Sequence, residues 1–66
     1  MTVAKVIEIS SSSPQGFDAA IRDGIRAASQ TVKNIKSAWV KEQTVDVEGG
    51  NVVAFRVNLK VTFLLE

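Results

Sequence analysis

Histidine, cysteine and tyrosine are all absent from this chain, which leaves carboxylates, lysines and serines to do any acid–base or nucleophilic work. The run Ser10-Ser11-Ser12-Ser13 has no histidine to serve as its base, so it reads as a loop and helix cap rather than as a nucleophile. Without imidazole or thiolate the usual zinc ligands are missing as well. Gly49-Gly50 lies outside any G-x-G-x-x-G or G-K-[ST] context and reads as a hairpin turn, not a phosphate cradle. Arg22, Arg26, Lys33 and Lys36 are offset by acids, and Phe17, Phe55 and Phe63 fall in apolar series, so there is no basic stripe interleaved with aromatics for nucleic acid. The expectation is a protein that is not an enzyme and not a nucleic-acid module.

These side chains sit on elements that alternation makes legible. From Val52 to Leu65 every odd position is apolar (Val53, Phe55, Val57, Leu59, Val61, Phe63 and Leu65). A strict period of two predicts a long, half-buried strand. Val3 to Ile9, rich in valine and isoleucine, suits a first strand that the serine run and Pro14 then break. A helix is expected from Pro14 to Val32, with Ser13 as its N-cap and Pro14 at the first helical position, or with Ser12 and Gln15 as a capping box. Phe17, Ile21, Ile25, Ala28 and Val32 form its apolar stripe, with Ala20 and Gly24 beside them. Gly24 costs about 1 kcal/mol of helix propensity relative to alanine, which points to a close approach between helix and sheet. Asp18 with Arg22 and Asp23 with Arg26 are spaced to form ion pairs on the solvated face.

Ala38 to Val47 reads as a second strand, with Trp39, Lys41, Gln43, Val45 and Val47 on one face and Val40, Glu42, Thr44 and Asp46 on the other. Glu48-Gly49-Gly50-Asn51 turns it into the third strand. The order is β-α-β-β. A right-handed crossover makes the first two strands parallel, so the third fits between them, antiparallel to both. The predicted fold is α+β, a single domain over residues 1–66, with a three-stranded antiparallel sheet of order 1-3-2 partly wrapping one helix.

Length makes this unit hard to stabilise alone. A chain of 66 residues buries only about 60% of its unfolded surface. The third strand would reach roughly 45 Å at about 3.3 Å per residue, whereas a helix from Pro14 to Val32 spans roughly 28 Å at about 1.5 Å per residue. No disulfide or thiolate metal can staple the rest, so association with further copies is expected. The net charge of +1 provides no strong field toward nucleic acid or anionic membrane. No segment has the apolar length of a membrane span, and Met1 to Ile9 lacks a secretory h-region, so a cytoplasmic protein is expected.

In order and spacing, the chain resembles the dodecins, small β-α-β-β proteins that form hollow homododecamers and typically bind flavins between subunits. The resemblance rests on Val6-Ile7-Glu8-Ile9, Ser12-Ser13-Pro14-Gln15-Gly16, Ala19-Ala20-Ile21, Arg26-Ala27-Ala28, Thr31-Val32-Lys33-Asn34-Ile35, Glu48-Gly49-Gly50 and Val57-Asn58-Leu59-Lys60-Val61-Thr62-Phe63. It implies a non-enzymatic assembly that stores or sequesters small molecules. In flavin-binding members a tryptophan on the second strand stacks on the isoalloxazine ring, and a glutamine on the third hydrogen-bonds it. Counting from the flanking motifs places Ser37 and Arg56 at those positions, so conventional binding of riboflavin or FMN is expected to be weakened or lost. Trp39, two residues beyond Ser37, is an alternative stacking platform on the same strand face, or else packs at a subunit contact.

Some dodecin-like proteins lacking that tryptophan are associated with calcium. Calcium takes six to eight oxygen ligands. Glu8, Asp18, Asp23, Glu42, Asp46, Glu48 and Glu66 show no D-x-D-x-D spacing, although a site shared between copies would leave none. Glu42 and Asp46, on one strand face, are the candidate metal ligands. A purely structural shell is the further alternative.

Overall fold

The structure, a computed structural model, describes residues 2–65. Strand β1 spans Ala4–Ser13, helix α1 Phe17–Ala28, strand β2 Ile35–Glu48 and strand β3 Asn51–Leu64. The sheet order is β1-β3-β2 and both ladders are antiparallel. The predicted order and topology are therefore those observed, with β3 at the centre.

The core lies between α1 and the inner face of β3. Val57, Leu59, Val61 and Ala20 are fully buried, and Ile7, Ile9, Phe17, Ile21, Ile25, Ile35 and Val40 pack around them. Alternation along β3 thus does what its period of two requires, burying alternate residues against the helix. The expected helix stripe holds through Phe17, Ile21 and Ile25, with Ala20 buried beside them, while Val32 lies beyond the helix. Gly24 is buried, and a Cβ placed on it would lie 2.9 Å from Ser11 Cβ and 3.5 Å from Leu59 Cδ1. The close approach inferred from that glycine is real, and it is made against β1 as well as β3.

The helix is shorter than expected at both ends. Ser13 is the last residue of β1, not an N-cap, and its buried hydroxyl accepts the Gln15 N–H at 3.1 Å. Gly16 holds the N-cap position at φ 144°, ψ 171°, a backbone conformation that side chains disfavour, and no side chain caps the helix. At the other end the Ser29 hydroxyl donates to the Ile25 carbonyl at 2.8 Å and the Thr31 hydroxyl to Ala28 at 3.5 Å. These local bonds compete with continuation of the helix, which stops at Ala28 instead of Val32. Asn34, at φ 65°, then redirects the chain into β2.

The serine run does not break β1 either. Ser10 through Ser13 pair with Asn58 through Phe55 of β3, so the ladder carries the strand four residues past Ile9. Small residues on its inner face leave room for the helix. Strand β2 is also longer than Ala38–Val47, and three register shifts interrupt its ladder, at Ile35/Ser37, Val40/Glu42 and Asp46/Val47. The first two leave Lys36 and Lys41 as extra residues on β2, and each reverses the facing of the residues beyond it. Hence Trp39 shares its face with Glu42, Thr44 and Asp46, not with Lys41, Gln43 and Val45. The third places the extra residue, Val53, on β3 and ends that strand's alternation there.

Gly49 and Gly50 close the hairpin at φ 57° and 79°, the signs a two-residue turn of type I′ needs. The first helical residue, Phe17, packs edge-on against Phe55 with centroids 5.1 Å apart. Beyond Phe55 the hairpin projects past the helix, and Val45, Val47, Val52 and Val53 are exposed there. The described chain is accordingly 52 Å long but only 19 and 14 Å across.

Candidate functional site

The outer face of the sheet, opposite the helix, gathers most of the chemistry-bearing side chains. Register places Ser37 across from Thr62, Trp39 from Lys60, Glu42 from Asn58 and Thr44 from Arg56. Ser37, Trp39, Arg56, Glu42 and Asp46, all singled out from the sequence, therefore lie on one face. They are not one cluster. Thr62, opposite Ser37, stands six positions along β3 from Arg56, which is roughly 20 Å at about 3.3 Å per residue.

Two parts of this face differ in character. Around Arg56 the groups satisfy one another. Its Nη2 lies 2.7 Å from Asp46 Oδ2, both side chains being half-exposed, and Asn58 Nδ2 donates to Glu42 Oε1 at 2.8 Å. Both metal candidates are thus engaged, one by a guanidinium and one by an amide. Among the described residues no three acidic side chains converge on a point where a metal could sit. Glu66 lies outside the described residues.

Around Trp39 the groups are open. Trp39 is 67% exposed, and Lys60 Nζ sits 5.4 Å from its ring centroid, within range of a cation–π attraction. Glu8 is the cross-strand neighbour of Lys60 on β1, but its carboxylate binds Lys41 Nζ at 3.0 Å. That hydrogen bond, with the charge of Glu8, raises the Lys41 pKa above its ordinary value of 10.5. Lys60 is left with no ion-pair partner among the described residues. Its pairing with Trp39 follows from plain counting back from Glu48 opposite Asn51, because the extra residues at Val53 and Lys41 cancel; what the Lys41 bulge changes is the indole's companions on its own strand. The expected helix pairs are present, Arg22 Nε to Asp18 Oδ2 at 3.1 Å and Arg26 Nη1 to Asp23 Oδ1 at 3.5 Å, both on the solvated side.

The two flavin positions implied by the resemblance, Ser37 and Arg56, carry a hydroxyl and a guanidinium. Ser37 lies opposite Thr62, and Arg56 Nη2 donates to Asp46 Oδ2. The described residues enclose no cavity or cleft, and no helix is long and apolar enough to cross a membrane.

A short helix against a much longer antiparallel sheet, with an aromatic and polar outer face, defines a small α+β protein of the binding type. The Dodecin family model matches residues 3–66, and the chain belongs to that family. Dodecins are homo-oligomeric binding and storage proteins, not enzymes. The chain is 33% identical over 63 residues to calcium dodecin of Mycobacterium tuberculosis, covering 96% of this chain and 89% of the relative. Among solved structures, dodecin from Streptomyces davaonensis is similar with a TM-score of 0.94 and 37% identity, over 98% of this chain and 96% of that one. The structure of M. tuberculosis calcium dodecin, described as having a novel calcium-binding site, is similar with a TM-score of 0.84 and 31% identity, over 97% and 91% of the two chains.

Proposed function

We propose that this chain is the subunit of a hollow homododecamer, located in the cytoplasm, that sequesters small molecules and in which conventional binding of riboflavin or FMN is weakened or lost. The observation that carries this reading is the Arg56–Asp46 contact of 2.7 Å. An arginine held by a carboxylate replaces a neutral amide that could donate to and accept from a flavin ring, while Ser37 offers no aromatic surface. Assembly is supported by the exposed valines of the hairpin tip, which α1 does not reach. Burying such side chains removes apolar area from water at about 25 cal/mol per Å².

A second reading keeps flavin as the ligand and uses Trp39 as its platform. Its 67% exposure on the face that also carries Ser37 favours it. Calcium binding, suggested by the 33% identical calcium dodecin, would require carboxylates drawn from several copies.

Light scattering coupled to size exclusion tests the assembly, with a mass of twelve 7.1 kDa subunits expected. Riboflavin titration and calcium-dependent thermal stability then separate the ligand readings. A folded monomer at micromolar concentration would overturn the container. Tight riboflavin binding that disappears in Trp39→Ala would favour the second reading, and stabilisation by calcium alone the third.

A further inference from the structure

We infer that Trp39 and Lys60 together form a site for a planar aromatic ligand that carries an anionic group, and that Lys60 makes the site select the charged over the neutral form of such a ligand. This deepens the second reading above, in which Trp39 is the platform for the ligand, and rests on it.

Two independent features converge at one cross-strand pair. The first is an indole left two-thirds open on a sheet face, a surface on which a second π-system gains by stacking. The second is an ammonium 5.4 Å from that ring whose cross-strand carboxylate neighbour, Glu8, is taken by Lys41 at 3.0 Å. Elsewhere on this face Arg56 is paired with Asp46 and Lys41 with Glu8, while Glu42 accepts from the neutral amide of Asn58. Lys60 is the one cation of this face without an ion-pair partner among the described residues.

Its half-buried stem, held in the central strand, fixes that charge beside the ring. A neutral aromatic gains only the stacking. One bearing a carboxylate or phosphate adds a charge-assisted contact, which is stronger than a neutral hydrogen bond. Ser37 and Thr62, opposite one another next along the face, supply hydroxyls for a polar edge.

Trp39 is the single tryptophan of the chain, so its emission reports on this site directly. The experiment titrates the assembled full-length protein with riboflavin and with FMN, which share a ring system and differ by a phosphate. Ligand fluorescence and Trp39 emission are followed together, at low and high ionic strength, in the native protein and in Lys60→Gln. FMN is expected to quench Trp39 at about tenfold lower concentration than riboflavin, an advantage that shrinks as salt screens the charge. In Lys60→Gln the advantage disappears while riboflavin binding is kept.

Equal quenching by both flavins in the native protein would overturn charge selection and leave the Trp39 platform standing. Flavin binding with unchanged Trp39 emission would place the ligand elsewhere and overturn the site itself. No binding of either would also overturn it, and if acrylamide then fails to quench Trp39, a second copy covers the indole. The native comparison and its salt dependence decide the question even if Lys60→Gln does not assemble. The scattering mass tests the container separately, so its failure is not confused with failure of this site.

Discussion

A Cβ added to Gly24 of the helix would stand 2.9 Å from Ser11 Cβ of the first strand, closer than real Cβ contacts allow. The two positions are small for one reason: they are where α1 crosses the sheet. Gly24→Ala gains about 1 kcal/mol of helix propensity but must push against a backbone-anchored atom, and overpacking of this kind costs about 1–3 kcal/mol. The net effect expected is lower stability, read as a lower denaturant midpoint. Combining it with Ser11→Gly removes the obstructing atom and should recover part of the loss. An unaffected or raised midpoint in the single variant would show that the helix can shift outward.

Leu59 is fully buried at the centre of β3, opposite both Val40 and Ile9. Leu59→Ala should cost about 2–5 kcal/mol, a large share of what a domain of this size has. Thermal unfolding followed by circular dichroism checks this, and a change well under 1 kcal/mol would mean the core collapses around the void.

The hairpin tip offers a different outcome. Val47 is 57% exposed and makes no part of the core, so Val47→Lys should leave the β-α-β-β unit folded while lowering the mass seen by light scattering. Retention of the full assembly would remove the tip from the contact between copies.

Replacing Ser37 by Trp and Arg56 by Gln should restore what a flavin ring needs, a stacking surface and an amide not held by Asp46. Riboflavin affinity is expected to rise by roughly tenfold or more, the weight of one aromatic pair and its buried area. Fluorescence titration of the double variant measures it. No gain would mean that another part of the assembled site excludes the ring.

Lys41 titrates above its ordinary value because its proton is shared with the Glu8 carboxylate. A pKa raised by folding contributes stability that is complete below the unfolded value and is lost as pH rises through the folded one. On the lysine side, the pair should therefore support the fold at neutral pH and stop doing so in the alkaline range above 10.5. Side-chain NMR of Lys41 should show its titration moving down in Glu8→Gln. The same midpoint in both proteins would show that the contact does not persist in solution.

Much of this molecule is written in local pattern. The period of two from Val53 onward, the stripe through Phe17, Ile21 and Ile25, and the two glycines of the turn each arise from stereochemistry within a few residues, and together they dictate the β-α-β-β order. The serines were harder to place, because Ser10 to Ser13 have turn chemistry by themselves and become strand only through pairing with Asn58 to Phe55. The outer face was harder still. Trp39 was visible in the sequence as a candidate, and counting back from the turn sets Lys60 across from it; that Glu42, Thr44 and Asp46 share the indole's face depends on the extra residue at Lys41, and a bulge belongs to the ladder between two strands rather than to either strand alone. Alternation is a property of one chain segment, so sequence shows it; register is a relation between distant segments, so only the folded sheet decides which side chains meet.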